Sequence, residues 1–211
     1  AGSGDASSEA FAGNGDWGYV EGAGTDASFR EPAGIVVDAS DNILVADRHN
    51  HRIRKITQSG EVSTFAGDGH GYQDGSLLSA RFESPYGLSI DSNGDVFVST
   101  IDGHRIRKID VSESIVSTIA GSGSYGFLDS DLLSSTFRHP RSILATSSAI
   151  YVADTDNHRI RKIDLIPSIK IPAGSLTGTL TLKGLDDYVY EVDESISVDV
   201  KDDVSEAEKF C

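Results

Sequence analysis

The sequence predicts an all-β protein that contains three consecutive units of four short antiparallel strands. A six-residue motif, His-Arg-Ile-Arg-Lys-Ile, begins at His51, His104 and His158, with separations of 53 and 54 residues. Short apolar runs alternate with turns rich in Gly, Asp, Asn and Ser, and no segment keeps a helical period. Repetition at this spacing indicates one supersecondary unit used three times.

Other positions keep the same register as the motif. In every unit a phenylalanine stands three residues before a proline, in the pairs Phe29–Pro32, Phe82–Pro85 and Phe137–Pro140. In the first unit, the segments 35–37, 43–46, 52–56 and 62–65 are the four predicted strands, and Asp and Asn in 38–42 favour a turn.

Four strands in about 50 residues are typical of a β-propeller blade. Apolar residues on both faces of the first two strands need cover on both sides, which stacked blades provide. The predicted fold is therefore a partial β-propeller of three four-stranded antiparallel blades, followed by a β-hairpin-like segment from a β-sandwich. Closed propellers have about four to eight blades, so we expect further blades outside this chain, on its N-terminal side.

This interpretation divides the chain into six segments. They are an outer strand and loop of a preceding blade (1–28), blade 1 (29–80), blade 2 (81–136), an incomplete blade 3 (137–165), a partial sandwich segment (166–200) and an acidic tail (201–211).

The repeated motif resembles the signature of NHL repeats, because Asn-His-Arg-Ile follows Val-Ala-Asp in the first and third units. The resemblance covers roughly residues 9–165 and implies a propeller that is commonly six-bladed. We expect a structural role for the signature residues. They are Asp47, Asn50, His51, Arg52, His104, Arg105, Asp154, Asn157, His158 and Arg159.

Two departures from this pattern stand out. The middle unit has Thr100-Ile101-Asp102-Gly103 where the others have Asp and Asn, which predicts a different turn in blade 2. The third unit has Ser142 where the others have Gly34 and Gly87.

The segment of about residues 168–200 resembles the C-terminal half of a Calx-β domain, through the run from Asp186 to Val198. This domain is an immunoglobulin-like sandwich of extracellular and cell-surface proteins. Some members bind calcium, so the resemblance implies Ca²⁺ as a cofactor. The candidate ligands are Asp186, Asp187, Glu191 and Glu194. Calcium prefers such hard oxygen ligands. The alternative is that these carboxylates cap a hairpin and keep an edge strand soluble.

Charge and composition narrow the range of partners. The formal net charge of −15 opposes binding to nucleic acid, and half of the 18 Lys and Arg residues stand in the repeated motif, as structural positions would. No run of 18 apolar residues is present, so we expect no direct insertion into a membrane. The three motif histidines are expected to be structural rather than zinc ligands.

The long loops 14–28, 68–80 and 122–136 recur in place and are expected to form one rim of the propeller, where binding often occurs. Their aromatic residues either contact a protein or glycan ligand or fill space between blades. They are Trp17, Tyr19, Tyr72, Tyr125 and Phe127.

We therefore expect a non-catalytic binding or scaffold module, part of a larger secreted or cell-surface protein. The competing interpretation is a fragment of a metal-dependent propeller enzyme, lactonase-like or lyase-like. In that case Asp38, Asp91 and Thr146, at the inner strand ends, would face a central channel.

Overall fold

The computed structural model describes residues 8–165 and two further strands, 177–181 and 195–199. The chain divides into two compact units, Ala1–Leu165 and Ile166–Cys211. The first unit contains three antiparallel sheets, called blades 1 to 3 below. The described residues contain no α-helix; three single 3₁₀ turns lie at Gly24–Asp26, Arg48–Asn50 and Thr155–Asn157.

Blade 1 is a five-stranded sheet. Its strands are β1 (Gly22–Ala23), β2 (Pro32–Val37), β3 (Ile43–Asp47), β4 (Arg52–Ile56) and β5 (Glu61–Ala66). The spatial order is β1-β5-β4-β3-β2. The four main strands follow one another through short turns, whereas the two-residue β1 comes from the preceding long loop and pairs with the start of β5.

Blade 2 repeats this arrangement, and blade 3 has only three strands. Blade 2 comprises β6 (Gly75–Ser76), β7 (Pro85–Ile90), β8 (Val96–Thr100), β9 (Arg105–Asp110) and β10 (Ile115–Ala120), and blade 3 comprises β11 (Pro140–Ala145), β12 (Ala149–Asp154) and β13 (Arg159–Asp164). The predicted all-β fold with antiparallel blades is confirmed, with an added short strand in blades 1 and 2.

The first strand of each blade carries the same irregularity. The register of β2 shifts between Pro32 and Ile35, and β7 and β11 shift at the matching positions. Proline has no N–H to donate to the ladder, so a bulge beside it is a natural solution.

The hydrophobic core lies between the blades. One cluster joins Leu44 and Ile53 of blade 1 to Val98 and Ile109 of blade 2. A second cluster joins Phe97 and Ile106 of blade 2 to Ile150 and Val152 of blade 3. The sheet of blade 2 is thus covered on both faces. Phe82 and Phe137, which follow the long loops, fill the two gaps between blades.

The faces at the two ends of the arc have no such cover within the described residues. Ile35 and Val37 of blade 1 are exposed, as are Leu144 and Ile160 of blade 3. The residues at the matching positions of blade 2 are buried or half-buried.

The second unit contains β14 (Thr177–Thr181) and β15 (Ser195–Asp199), which pair antiparallel. The predicted turn at 184–187 and the four calcium-ligand candidates, Asp186, Asp187, Glu191 and Glu194, lie outside the described residues. The Calx-β resemblance of this segment stays a prediction. So does the assignment of residues 9–13 to a preceding blade. None of the described residues forms a helix that is long and apolar enough to span a membrane.

Candidate binding edge of the blades

The strand ends place most of the signature residues on one edge of the arc, which we call the proline edge. It is defined by Pro32, Pro85 and Pro140, the turns 48–51, 101–104 and 155–158, and the long loops that enter each blade. Pro32 pairs with Asp47, and Asp47 pairs with Arg52, so the start of β2, the end of β3 and the start of β4 meet there.

A buried network around Asp47 fastens the turn of blade 1. The Asp47 carboxylate accepts hydrogen bonds from the Arg54 guanidinium at 2.9 Å and from the Asn50 amide at 2.8 Å. Its other oxygen accepts the backbone N–H of Arg30 at 2.8 Å. Both charged side chains are fully buried, so the opposite charge and the hydrogen bonds offset the cost of removing them from water.

The same network holds the long loop of blade 1 against its sheet. Arg54 donates to the carbonyl oxygens of Val20 (3.1 Å) and Ser28 (3.3 Å), and Asn50 donates to that of Gly18 at 2.6 Å. The loop therefore obtains its hydrogen bonds from two residues of the repeat signature region.

Blade 3 repeats this network. Asp154 accepts from Arg161 at 3.0 Å, from Asn157 at 2.8 Å and from the backbone of Arg138 at 2.7 Å. Asn157 also donates to the carbonyl of Gly126 at 2.6 Å. The Asp and Asn of the signature are thus structural anchors of the loop.

Blade 2 also holds its long loop against the sheet, but it uses different residues to do so. Thr100 and Gly103 replace the Asp and the Asn, and the carboxylate of Asp74, in the loop itself, pairs with Arg107. Arg107 still donates to the carbonyls of Arg81 and Gln73, at 2.8 and 2.9 Å. Residues 101–104 form a plain turn, whereas the corresponding residues of blades 1 and 3 form 3₁₀ turns.

Two arginines of each motif pack against one aromatic ring of the loop. In blade 1 the guanidinium carbons of Arg52 and Arg54 lie 4.1 and 5.0 Å from the ring centroid of Tyr19. The matching sets are Arg105 and Arg107 with Tyr72, and Arg159 and Arg161 with Phe127. Cation–π contacts of this kind stabilise the packing, so these three aromatic residues fasten loops to blades.

The first arginine of the motif also binds the next loop. Arg52 donates to the carbonyls of Asn50 (2.9 Å) and Asp68 (3.1 Å). Arg105 similarly donates to the carbonyl of Ser122 and pairs with Glu83. In blade 3, Arg159 donates to the carbonyl of Asn157 at 3.2 Å.

The motif histidines connect neighbouring blades. His51, His104 and His158 all adopt left-handed backbone angles, with φ between 51° and 57°, a conformation in which His is enriched among non-glycine residues. The Nδ1 atom of His51 accepts the backbone N–H of Ser84 at 3.2 Å, and that of His104 accepts the N–H of His139 at 3.3 Å. His158 is exposed on the outer side of blade 3.

Burial lowers the pKa of His51 to about 4, with a further contribution from nearby His70 and His49. Burial also lowers the pKa of His104, assisted by His139. A neutral ring suits a nitrogen that accepts a hydrogen bond. Among the residues that the structure describes, no group of three or more His, Cys, Asp or Glu side chains is placed to hold a metal ion.

The carboxylates considered for a catalytic channel are engaged in hairpin turns. Asp38 accepts the backbone N–H groups of Ser40 and Asn42 at 2.8 and 2.9 Å. Asp91 accepts those of Asn93 and Asp95 at 2.9 and 3.0 Å. The Thr146 hydroxyl lies in the corresponding turn and bonds Ala149. All three turns lie at the opposite edge of the arc from the prolines.

The rim aromatics separate into two groups. Tyr19, Tyr72 and Phe127 pack against arginines and are 45–49% exposed, whereas Trp17 and Tyr125 leave 78% and 70% of their surface exposed. Trp17, His70 and Tyr125 occupy equivalent places, because each bridges the phenylalanine before the proline of its blade. We call these three residues the aromatic row. Arg30 and Arg138 flank its Trp and Tyr, each at 5.7 Å from the ring centroid.

Sequence reasoning missed a third group on the proline edge. Tyr86, at the start of β7, has the guanidinium groups of Arg48 of blade 1 and Arg141 of blade 3 near its ring. The sequence distinguishes these three residues only by the fact that none of them is repeated at the matching positions of the other two units.

Comparison with known proteins supports the repeat assignment. Residues 29–56 match the family model described as NHL repeat, which confirms the predicted repeat. Over 97 residues, 45% of this chain, the sequence is 37% identical to NHL repeat-containing protein 2 of Gallus gallus. The matched region spans 13% of that relative.

Two solved structures share the fold. A structural genomics protein of unknown function from Bacteroides thetaiotaomicron is 27% identical, with a TM-score of 0.60, and the match covers 63% of this chain and 34% of that chain. An auxiliary nutrient binding protein from Bacteroides ovatus is 26% identical, with a TM-score of 0.55, and the match covers 65% of this chain and 38% of that chain.

Proposed function

We propose that this chain is a non-catalytic binding module of a larger secreted or cell-surface protein, and that its aromatic row binds a glycan. The observation that carries the proposal is the exposure of Trp17 and Tyr125 at equivalent positions of two anchored loops. An apolar ring that a fold leaves in water costs free energy, which binding recovers.

The anchoring of the loops supports binding without large rearrangement. Val20 and Ser28 are tied to Arg54, and Gly126 is tied to Asn157, so the loop backbone beside each exposed ring is already ordered. Preordering lowers the entropy cost that a ligand would otherwise meet.

The surroundings of the rings favour a sugar chain over a protein partner. The middle member of the row is the polar His70, and Arg30 and Arg138 flank the other two rings. The row therefore lacks the continuous apolar centre that is typical of protein interfaces. A sugar ring instead packs its C–H face on an aromatic ring, while its hydroxyls bond arginine and histidine. The nutrient binding named for the Bacteroides ovatus structure is compatible with this class of ligand.

Trp17 provides its own test, because it is the single tryptophan of the chain. Its fluorescence would be titrated with cellohexaose, chitohexaose and maltohexaose. At least one glycan should shift the emission to the blue, and Tyr125→Ala should weaken that binding by about tenfold or more, ~1.4 kcal/mol. Tyr151→Ala, on the sheet face of blade 3, is the matched control and should bind as the parent does.

No shift with any of the three glycans, or equal loss in both variants, would contradict the proposal. Binding of a protein ligand that depends on Trp17 and Tyr125, without glycan binding, would assign the row to a protein partner instead.

Two further proposals concern metals. Calcium binding by the C-terminal segment rests on the Calx-β resemblance alone, and calorimetry with Ca²⁺ on the parent and on Asp187→Asn tests it. The competing enzyme, of lactonase or lyase type, requires a stoichiometric metal ion in the full-length protein. Metal analysis of that protein distinguishes it from a binding module.

A further inference from the structure

The internal repeat provides a control for function within one chain. A side chain that recurs in every unit, as the motif arginines and histidines do, serves the construction of each blade. Arg48 is replaced by Ile101 and Thr155 at the matching turn positions of blades 2 and 3. The place of Tyr86 is taken by Ala33 in blade 1 and by Arg141 in blade 3. A blade can therefore form with a different residue at each of these three positions.

These three residues nevertheless meet at one point of the proline edge. The guanidinium carbon of Arg48 lies 5.9 Å from the ring centroid of Tyr86, and that of Arg141 lies 5.9 Å from the same centroid. Each of the three blades contributes one residue, because the first strands β2, β7 and β11 pack side by side. The cluster therefore exists only when the blades are assembled.

Of the two arginines in the cluster, only Arg48 has an acidic partner among the described residues. Arg48 donates to Glu31 at 2.9 Å, and Glu31 also contacts His49 at 3.2 Å. Arg141 is exposed and forms no ion pair with any residue in the described part of the chain. The nearby carboxylate of Asp156 is engaged by His139 at 2.6 Å. One guanidinium beside a half-buried phenol thus keeps its hydrogen-bonding capacity for an external group.

We propose that Arg48, Tyr86 and Arg141 form a binding site for an organic anion that carries a carboxylate on a flat ring. The ring would pack on Tyr86, and the carboxylate would accept a two-pronged hydrogen bond from Arg141, the geometry that guanidinium groups favour. Arg48 would add a second positive charge from the blade 1 side. No residue of this site belongs to the aromatic row, so the site and the proposed glycan binding stand or fall separately.

The ring contact is necessary because the chain as a whole repels anions. The chain has a formal net charge of −15, so its overall charge does not attract anions. Salt also screens attraction to the two arginines beyond a Debye length of ~8 Å at physiological ionic strength. A compact anion such as inorganic phosphate should therefore bind more weakly than an aromatic carboxylate.

Benzoate, benzamide and inorganic phosphate separate these contributions. Binding would be followed on the full chain by the NMR signals of the arginine Nε–H groups. Benzoate should perturb the signals of Arg48 and Arg141 with a dissociation constant on the order of millimolar, about −4 kcal/mol. Benzamide, which has the ring without the charge, and phosphate, which has charge without the ring, should each bind at least about tenfold more weakly.

Variants of the three residues test the assignment. Arg141→Gln and Tyr86→Leu should each weaken benzoate binding by about tenfold, ~1.4 kcal/mol. Arg81→Gln is the control, because Arg81 is an exposed arginine of the long loop with only a 3.6 Å contact to Asp68. Circular dichroism verifies that every variant is folded, and binding of any active hexasaccharide to Trp17 should be unchanged in Arg141→Gln. Absence of benzoate binding, equal binding of benzamide, or full binding by folded Arg141→Gln would each overturn the proposal.

Discussion

At the scale of single residues, the chain places arginine side chains inside the protein and gives their terminal N–H groups acceptors, whereas the Nε atoms of Arg54 and Arg107 have none. Arg54 and Arg107 are almost fully buried, and each reaches two loop carbonyls as well as a carboxylate. A buried guanidinium needs such partners, since it cannot release its proton. Each buried arginine has a carboxylate partner, but the position of that partner in the sequence varies. Asp47 comes from a strand, and Asp74 comes from a loop.

The first prediction concerns the buried pair of blade 1. Asp47→Asn removes the negative charge and leaves Arg54 buried and unpaired, which should cost about 3–5 kcal/mol of folding free energy. Asp129→Asn breaks a pair with Arg161 in which the carboxylate is 73% exposed, and should cost at most about 1 kcal/mol. Urea denaturation followed by circular dichroism measures both changes. Similar losses in the two variants would show that burial of the Asp47 pair does not govern its contribution.

Part of the network was predictable from the sequence. The repeated Asp, Asn and Arg marked structural positions. The carbonyls of Gly18, Val20 and Ser28 were not predictable, because every residue has a carbonyl and only the path of the loop decides which ones face the guanidinium. Tyr86 and its two arginines were missed because contacts across blades depend on how the blades pack.

At the scale of strands and blades, glycine sets how closely neighbouring first strands approach. A Cβ on Gly34 would overlap the carbonyl oxygen of Tyr86, and one on Gly87 would overlap that of Arg141. Neither glycine has a left-handed backbone, so the requirement is steric. Ser142 occupies the same place in blade 3 and is exposed. A further blade that packed on blade 3 in the same way would collide with its side chain.

The second prediction concerns the histidine links between blades. His51 accepts a hydrogen bond through Nδ1, and its pKa in the folded chain is about 4, whereas an unfolded histidine has a pKa of about 6.5. As the pH falls below about 6.5, the unfolded chain takes up a proton that the folded chain refuses, so stability is lost progressively towards pH 4. His104, whose pKa is also lowered, acts in the same direction.

An asparagine at both positions separates this effect from other titrations. Asn tolerates the left-handed backbone and can present an acceptor oxygen near the place of Nδ1. The His51→Asn, His104→Asn double variant should therefore lose less stability than the parent between pH 7 and pH 5. Urea unfolding midpoints at the two pH values measure the difference, and parallel declines in both proteins would refute the role of these histidines.

At the scale of the whole molecule, the blades are well packed against one another, and their two end faces have no cover within residues 8–165. The apolar sheet residues that face another blade are buried, whereas their counterparts at the two ends are in water. Ile106 of blade 2 is fully buried, and the equivalent Ile160 of blade 3 is 72% exposed. The same motif position thus serves as core in one blade and as surface in another, which the motif alone cannot reveal because burial depends on the neighbour.

The third prediction follows from that contrast. Exposed apolar sheet faces promote association, so the chain should sediment with an average mass that rises with protein concentration. Ile160→Glu should reduce this association and leave the unfolding midpoint nearly unchanged, because the side chain is already largely in water. Ile106→Glu places an unpaired charge between blades 2 and 3 and should abolish cooperative unfolding. Sedimentation velocity and urea denaturation read out the two effects. A chain that stays monomeric at all concentrations, or that loses as much stability at position 160 as at position 106, would show that the end face of blade 3 is covered in solution.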